Sequence, residues 1–461
     1  MRLVALAGLL VCMGWALACN APPVAPQAKP ASVSPLATPV KAAAAGPRFV
    51  EDDIDAAFRQ ARESGRVVFV DGWAPWCHTC LSMQRDVLHD PRLARYEDRV
   101  VFAAIDTDRP EAASFLVRFP LKGWPGLFVI DPQTDQALAL HAGSLSFPEF
   151  EKLLDDALAT RDPRNASEPQ VKAILEGHAA MGRKDYASAA RHYEDAVAAG
   201  GPRLPEAALG AMRALFARED LAGCIDFGMR TLGAFRTSSS SADVIAYVVA
   251  CARRLKEGDP KRIAALFAAR AALEPLTTAP PPGASVDDKA DALAVLADIA
   301  EMQKDEAARK AAHEKRLELL EADVAAQKDV EHARIHDYAR MTSYLALGRG
   351  DEAVKMLKER TSQLPGSYEA WARLASAYHE IKRDDDAIPA VQKAIELSYG
   401  PRRLRYLTLL ADILAAQKDV SGERKTVQAL IDDAEKLPPG QRDDATIATA
   451  KDRLAKLPKS I

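Results

Sequence analysis

The sequence predicts an α/β domain followed by an all-α helical solenoid, and three observations predict it. Between Phe49 and Thr160, short apolar β-branched runs alternate with helical spacings. After about residue 163 strand-like runs stop, and helix-length segments recur with a traceable period of 34. The chain has 461 residues, more than one ordinary core holds, and its aromatic content of 6% beside abundant alanine favours close helix crossings. A net charge of −4 gives no basic face for nucleic acid, so nucleic-acid binding is set aside.

The elements follow in order. "VEDDIDAAFRQARESG" places Ile54, Ala57 and Phe58 on one helical face, with acids in the first turn and Gly65 at the stop. "RVVFVDG" is a buried strand by length and branching, "LSMQRDVLHD" a helix, "RVVFAAIDTD" a second strand and "PEAASFLVRF" a helix. "PGLFVID" and "QALALHAG" are strands joined by the turn "PQTD", and "SFPEFEKLLDDALAT" closes the unit as a Ser-started helix. The α/β domain is therefore placed at 48–162, with helices on both faces of its sheet, and the helical repeats at 163–461.

Two segments precede it. Residues 1–19, "MRLVALAGLLVCMGWALAC", carry one charge at Arg2, an apolar stretch and a small-residue end, which predicts an export signal rather than a membrane span. Cleavage after Ala18 fits plain secretion into a bacterial periplasm. It also leaves Cys19 first, which resembles the lipidated start of bacterial lipoproteins and implies a membrane anchor, with Asn20 favouring an outer-membrane address. Residues 20–47 are rich in Pro and Ala and have too little bulky apolar content to fold, so they read as an extended tether.

The chemistry concentrates in "VVFVDGWAPWCHTC", Val67 to Cys80. Two thiols two residues apart allow a structural disulfide, half a metal site or a redox pair. A staple closing so small a loop would constrain little of the unfolded chain. A zinc half-site lacks a second ligand pair, since Cys224 and Cys251 are not a CxxC and have no histidines beside them. No metal and no bound cofactor are expected.

In order along the chain stand Asp71 at a strand end, Trp73-Ala74-Pro75-Trp76, Cys77-His78-Thr79-Cys80 opening a helix, and Trp124-Pro125 before the next strand. This ordered set resembles the thioredoxin superfamily over about 48–160. With Asp90-Pro91-Arg92 downstream it is similar to the C-terminal domain of the transmembrane thiol:disulfide interchange reductases. The resemblance implies Cys77 as attacking thiol, Cys80 as resolving thiol and Asp71 as the buried acceptor of the proton Cys80 loses. It also implies a cis bond at Trp124-Pro125, with Trp76, His78, Thr79, Trp124 and Pro125 framing an extended substrate. Trp124 replaces a smaller residue of the family, Gly126 a common Thr and Leu81 a common Lys, which leaves the substrate open.

Elementary chemistry agrees with those roles. A helix start presents unpaired N–H groups and favours a thiolate. Lowering a thiol pKa from about 8.5 to about 7 raises the thiolate fraction from roughly 3% to half, yet weaker nucleophilicity leaves a net gain of only about threefold. The larger effect is on leaving-group ability and potential. A protonated His78 would stabilise the thiolate and push toward oxidising behaviour, whereas the resemblance points to reduction, and the direction stays open.

In the second half, Trp371, Leu374, Ala375, Tyr378, Ala387 and Ala394 stand at the spacing of a tetratricopeptide repeat, with Tyr344, Ala353 and Pro365 at matching places upstream. Gly177, Ala180, Ala189, Tyr193 and Ala196 match as well. Weaker pairs at 205–235, 242–275, 286–323 and 405–436 complete a degenerate tetratricopeptide-like solenoid of about seven pairs. Such grooves commonly take peptides or proteins. Cys224 and Cys251 lie on apolar helical stretches as buried thiols or as a bridge, and His332 and His336, four apart, read as a solvated helix face.

These readings combine into an exported, membrane-anchored or soluble periplasmic thiol:disulfide oxidoreductase. Its substrates are disulfide-containing proteins, its electrons come from another dithiol, and its repeats recruit a protein partner. The rival reading is an envelope scaffold in which the repeats are the function.

Overall fold

The computed structural model describes residues 46–121, 123–232, 238 and 241–458; the export segment, Cys19 and the tether up to residue 45 lie outside the described residues. The first half is built on β1 (Phe49–Glu51), β2 (Val67–Trp73), β3 (Val100–Asp106), β4 (Gly126–Asp131) and β5 (Gln136–Ala142). The sheet order is β1-β3-β2-β4-β5, with β1 and β2 parallel to β3, β4 antiparallel to β2 and β5 antiparallel to β4. The period of two sorts the side chains. Val67, Phe69, Val100, Phe102, Leu127 and Val129 enter one core, and Val68, Val70, Val101, Ala103, Phe128 and Ile130 enter the other.

Helices α1 (Ile54–Ser64), α2 (His78–Met83), α3 (Ala113–Arg118) and α4 (Phe147–Ala159) cover the two faces, and α2 runs on through a π turn at Gln84–Leu88. Asp53 caps α1 by accepting from the Ala56 N–H at 2.9 Å, and a Ser146–Glu149 capping box starts α4. The sequence reading ran the first helix back to Val50; the structure instead pairs Phe49–Glu51 with β3. Three residues are too few to show a strand period, and the ladder with β3 decides their state.

The helical half follows a short α5 (Pro163–Ala166). Its pairs are α6 (Pro169–Gly182) with α7 (Tyr186–Ala199), α8 (Leu204–Ala217) with α9 (Leu221–Thr231), α10 (Ser241–Arg253) with α11 (Pro260–Thr278), and α12 (Val286–Met302) with α13 (Glu306–Gln327). Then come α14 (Val330–Ala346) with α15 (Gly350–Gln363), α16 (Tyr368–Glu380) with α17 (Asp384–Leu397), α18 (Gly400–Ala416) with α19 (Val420–Lys436), and a last helix α20 (Asp444–Lys456).

The turns inside the pairs repeat one piece of chemistry. Lys184, Glu219, Lys304 and Lys418 each adopt positive φ, and the next residue, Asp185, Asp220, Asp305 or Asp419, caps the second helix with its carboxylate. Cys224 and Cys251, left open by the sequence, are bridged, tying α9 to α10. Tyr193 of α7 lies between α6 and α8, and a Cβ at Gly177 or at Gly210 would stand 2.7 Å from its ring.

The first helix of each pair forms an inner row that faces the sheet domain. His178 Nδ1 meets the Ala137 carbonyl at 3.2 Å, Arg203 donates to the Leu138 carbonyl at 2.7 Å, and Glu206 accepts from the Leu140 N–H at 3.1 Å. These contacts satisfy groups along β5, an outer strand that would otherwise present open polar backbone. Farther along, Asp243 of α10 stands against Gly143, and Asp288 of α12 bonds Ser144. The row that a repeat array offers to a ligand is here turned toward the chain's own sheet domain.

Because Tyr193 is fully buried and cannot swing away, Gly210→Ala is expected to lower stability by about 1–3 kcal/mol. Thermal unfolding of the full chain measures it.

Candidate functional site

The CxxC lies where the central strand hands over to a helix. After β2 ends at Trp73, Ala74 accepts from the Cys77 N–H at 3.0 Å and closes the turn. Cys77 is the N-cap of α2, with extended φ and ψ, and its Sγ accepts from the Cys80 N–H at 3.0 Å. Its sulfur therefore occupies the place a capping oxygen takes, beside backbone donors that favour negative charge. The two cysteines are bridged, with Cα atoms 5.2 Å apart, and are buried to 5% and 0% exposure respectively.

Three indoles surround them. Trp73, Trp76 and Trp124 pack on the cluster of Ala74, Cys77 and Cys80, with the Trp76 and Trp124 rings 5.0 Å apart in a T. Trp124 donates to Thr107 Oγ1 at 2.9 Å and Trp76 to Asp108 Oδ2 at 2.7 Å. The Trp124-Pro125 bond is cis. Gly126, where the family commonly has Thr, admits Leu121: a Cβ there would lie 2.0 Å from Leu121 Cδ1.

Asp71 is buried on β2. Gln84, one turn after Cys80, donates to its Oδ2 at 2.9 Å, while Oδ1 has no hydrogen-bond partner. Burial lifts its pKa to about 7, against the lowering effect of Gln84 and with a further push from Glu51. A carboxyl of this kind exchanges a proton near neutral pH, directly under the helix that carries the thiols.

The residues between the cysteines face the helical half. His78 Nδ1 lies 2.9 and 3.0 Å from the two carboxylate oxygens of Asp287 in the first turn of α12, and the Thr79 hydroxyl bonds the same carboxylate. Burial alone would lower the His78 pKa, but the charges of Asp287 and Asp291 overcome it and lift it to about 9, with Arg316 opposing. Burial likewise works to raise Asp287, and His78 overrides it, so Asp287 stays ionised. His78 and Thr79, which the resemblance aims at substrate, are thus engaged by Asp287.

More of the inner row closes on this face. The Arg402 guanidinium of α18 stacks 4.6 Å above the Trp76 ring and donates to Glu369 of α16 at 3.0 Å. Pro75 and Leu81 line a narrow cleft with Glu369, Ala370 and Arg373. Leu81, which departs from the Lys the resemblance implies, is buried against that cleft. Tyr399 hydrogen-bonds Asp106, and Gln441 donates to the carbonyls of Thr107 and Arg109 at 2.8 and 2.6 Å.

One sequence reading is overturned here. His332 and His336 are not on a solvated face but buried, at 3% and 1% exposure. Asp323 of α13 is the acidic partner whose geometry the sequence did not reveal, lying 2.9 Å from His336 Nε2 and in closer contact with His332 Nε2. Arg85, just past α2, reaches the same His332 nitrogen at 3.2 Å. Asp323, His332 and His336 could hold a metal ion, as could His78, Asp287 and Asp291. In the first cluster Arg85 already stands against His332, and in the second His78 is already engaged by the Asp287 carboxylate.

Comparison with known proteins agrees with this architecture. Residues 50–132 match the family described as thioredoxin-like, and 174–235 and 344–413 match tetratricopeptide repeat families. Over 87 residues the chain is 34% identical to thiol:disulfide interchange protein DsbD 1 of Pseudomonas aeruginosa, covering 18% of this chain and 14% of that protein. Over 110 residues it is 34% identical to DsbD of Ralstonia nicotianae, covering 23% of this chain and 18% of that protein. The chain thus spans less than a fifth of the length of these curated relatives. Among solved structures, a tetratricopeptide repeat protein from Parabacteroides merdae aligns at 11% identity and TM-score 0.40, over 62% of this chain and 100% of that one. The TPR2AB domain of yeast Sti1 in its pHSP90 complex aligns at 17% identity and TM-score 0.24, over 62% and 98%. The chain carries a thioredoxin-like domain followed by tetratricopeptide-like repeats, and the domain's relatives with the CxxC point to thiol–disulfide redox chemistry.

Two pH signatures test the site. Asp71 binds its proton more tightly folded than unfolded, so its burial costs nothing at low pH and costs stability as pH rises from about 4 through about 7. Asp71→Asn should melt with the wild type near pH 4 and above it at pH 8, by on the order of a few kcal/mol. For His78 the raised pKa means a contribution fully present below about 6.5 and lost as pH rises through about 9. The melting advantage of wild type over His78→Ala should therefore shrink between pH 6 and pH 10.

Proposed function

We propose that this protein is an exported thiol:disulfide oxidoreductase in which Cys77 and Cys80 are the working pair. The observation that carries the reading is the assembly just described: a capping thiol, a fully buried second thiol, a cis-proline edge and a buried carboxyl of near-neutral pKa beneath their helix. In the reduced enzyme the Cys77 thiolate attacks one sulfur of a substrate disulfide, forming a mixed disulfide and expelling a substrate thiolate. Cys80 gives its proton to Asp71 and attacks Cys77 Sγ, releasing the second substrate thiol and leaving the Cys77–Cys80 disulfide. A dithiol donor then returns two electrons. No bound cofactor is called for.

Trp76, Trp124 and Pro125 frame the entering chain, while His78 and Thr79 hold the α2 end against the helical half. We assign residues 48–162 to the redox domain and 163–461 to the repeats, with Cys19 as the lipid-bearing residue of an envelope-facing, periplasmic protein. Disulfide-bearing proteins are the substrates. The repeats serve both as a cradle for the redox domain and as a surface for a protein partner.

The near-complete burial of the pair also supports the rival reading, an envelope scaffold whose thioredoxin-like domain only folds. Turnover separates them. With a disulfide peptide and excess dithiol, wild type should reduce substrate and Cys77→Ser should lose at least about a hundredfold in rate, while pre-reduced Cys80→Ser given the peptide without dithiol accumulates a mixed disulfide. Equal, negligible rates for wild type and Cys77→Ser would establish the scaffold.

A further inference from the structure

The CxxC motif meets a carboxylate that the redox domain does not itself supply, Asp287 of the repeats. Both variable residues of the CxxC end on it: His78 through Nδ1, at 2.9 and 3.0 Å from its two oxygens, and Thr79 through its hydroxyl. Asp287 is buried to 2% exposure in the first turn of α12, where the Ser285–Asp288 capping box fixes its backbone. A buried carboxylate needs a partner, and among the described residues the partner it is given belongs to the thiol motif. The surrounding groups are Asp291 on α12, Arg316 on α13, Asp243 on α10 and His336 on α14. None of these is shown in a bidentate contact with the His78 ring.

We propose that Asp287 is a positioning residue of the redox pair, anchoring the His78–Thr79 turn between the two cysteines so that docking of the helical half sets the equilibrium between dithiol and disulfide. This rests on the redox reading above and deepens it. Cys77 is the N-cap of α2 and His78 its first residue, so the carboxylate that holds His78 and Thr79 also holds the helix turn whose N–H group bonds the Cys77 sulfur. Such donors favour the Cys77 thiolate, hence the reduced form, while the first turn of α2 keeps its place. Replacing Asp287 by an amide loosens that turn and weakens the donors' hold on the sulfur.

The test is an equilibrium between the full chain and glutathione, in which the Cys77/Cys80 dithiol and one glutathione disulfide yield the protein disulfide and two glutathione thiols. The state of the 77–80 peptide is read by mass after alkylation, which separates it from the Cys224–Cys251 bridge. Asp287→Asn should shift the equilibrium toward protein disulfide by at least about threefold at pH 7. The same change made in a His78→Ala chain should have no effect. An unchanged equilibrium, or an equal shift without His78, overturns the proposal. Should Asp287→Asn fail to fold, His78→Ala alone carries the test: the same shift supports it and no shift overturns it. Exchange in the wild type that ignores Asp287 removes this inference only, whereas a wild-type pair that never exchanges with glutathione ends the redox reading and the inference together.

Discussion

The contact on which the rest of the structure depends is the docking of the CxxC helix against the inner row of the repeats. Its centre is polar: His78 and Thr79 meet Asp287, and two turns later Arg85 meets His332. Around it the contact is apolar and aromatic, with Leu81 and Pro75 in the cleft of α16 and Arg402 laid over Trp76. Ion pairs that are buried stabilise little once desolvation is counted, but breaking one leaves a lone charge and costs several kcal/mol. The arrangement therefore specifies one docking geometry more than it adds stability. It explains why a helical array that could lie away from the redox domain instead curls its first helices onto it.

That geometry changes what the repeats can be for. In a free-standing array the inner row is open to ligands. Here it is engaged from α6 at β5 to α18 at the Trp76 edge, so a partner of the repeats meets the second helices, or competes with the docked domain. Competition couples partner binding to the thiol pair, because whatever displaces α12 from α2 also removes Asp287 from His78. The same contact narrows the approach to the cysteines, and Trp124 at the cis-proline edge narrows it further.

Much of the fold was legible because its signals are local. The strands declare themselves by branched apolar runs, and the thiol motif and Trp124-Pro125 by order along the chain. The structure brings Trp76, Trp124, Cys77 and Cys80 into one cluster and sets Asp71 beneath the same helix. The strand at Phe49–Glu51 was not legible, since its state comes from β3. Asp287 was hidden in plain chemistry: an acid in a helix's first turn already has a reason to be there. His332 and His336 read as solvated because their burying partners, Asp323 and Arg85, come from other elements. Two signals did exist. Leu81 in place of a polar residue marked a covered surface, and a charged residue followed by a capping Asp, Glu219-Asp220 and Lys418-Asp419, marked the weaker repeats.

The account turns on Cys77 being an ionisable thiol at a helix start while held within the cradle. Its most direct measurement is the pH dependence of the alkylation rate of Cys77 in the reduced, folded full chain. The account predicts a single ionisation below the ordinary thiol value of about 8.5, with reaction proceeding in the native state. An ionisation at or above that value, or labelling that waits for global unfolding, would contradict it.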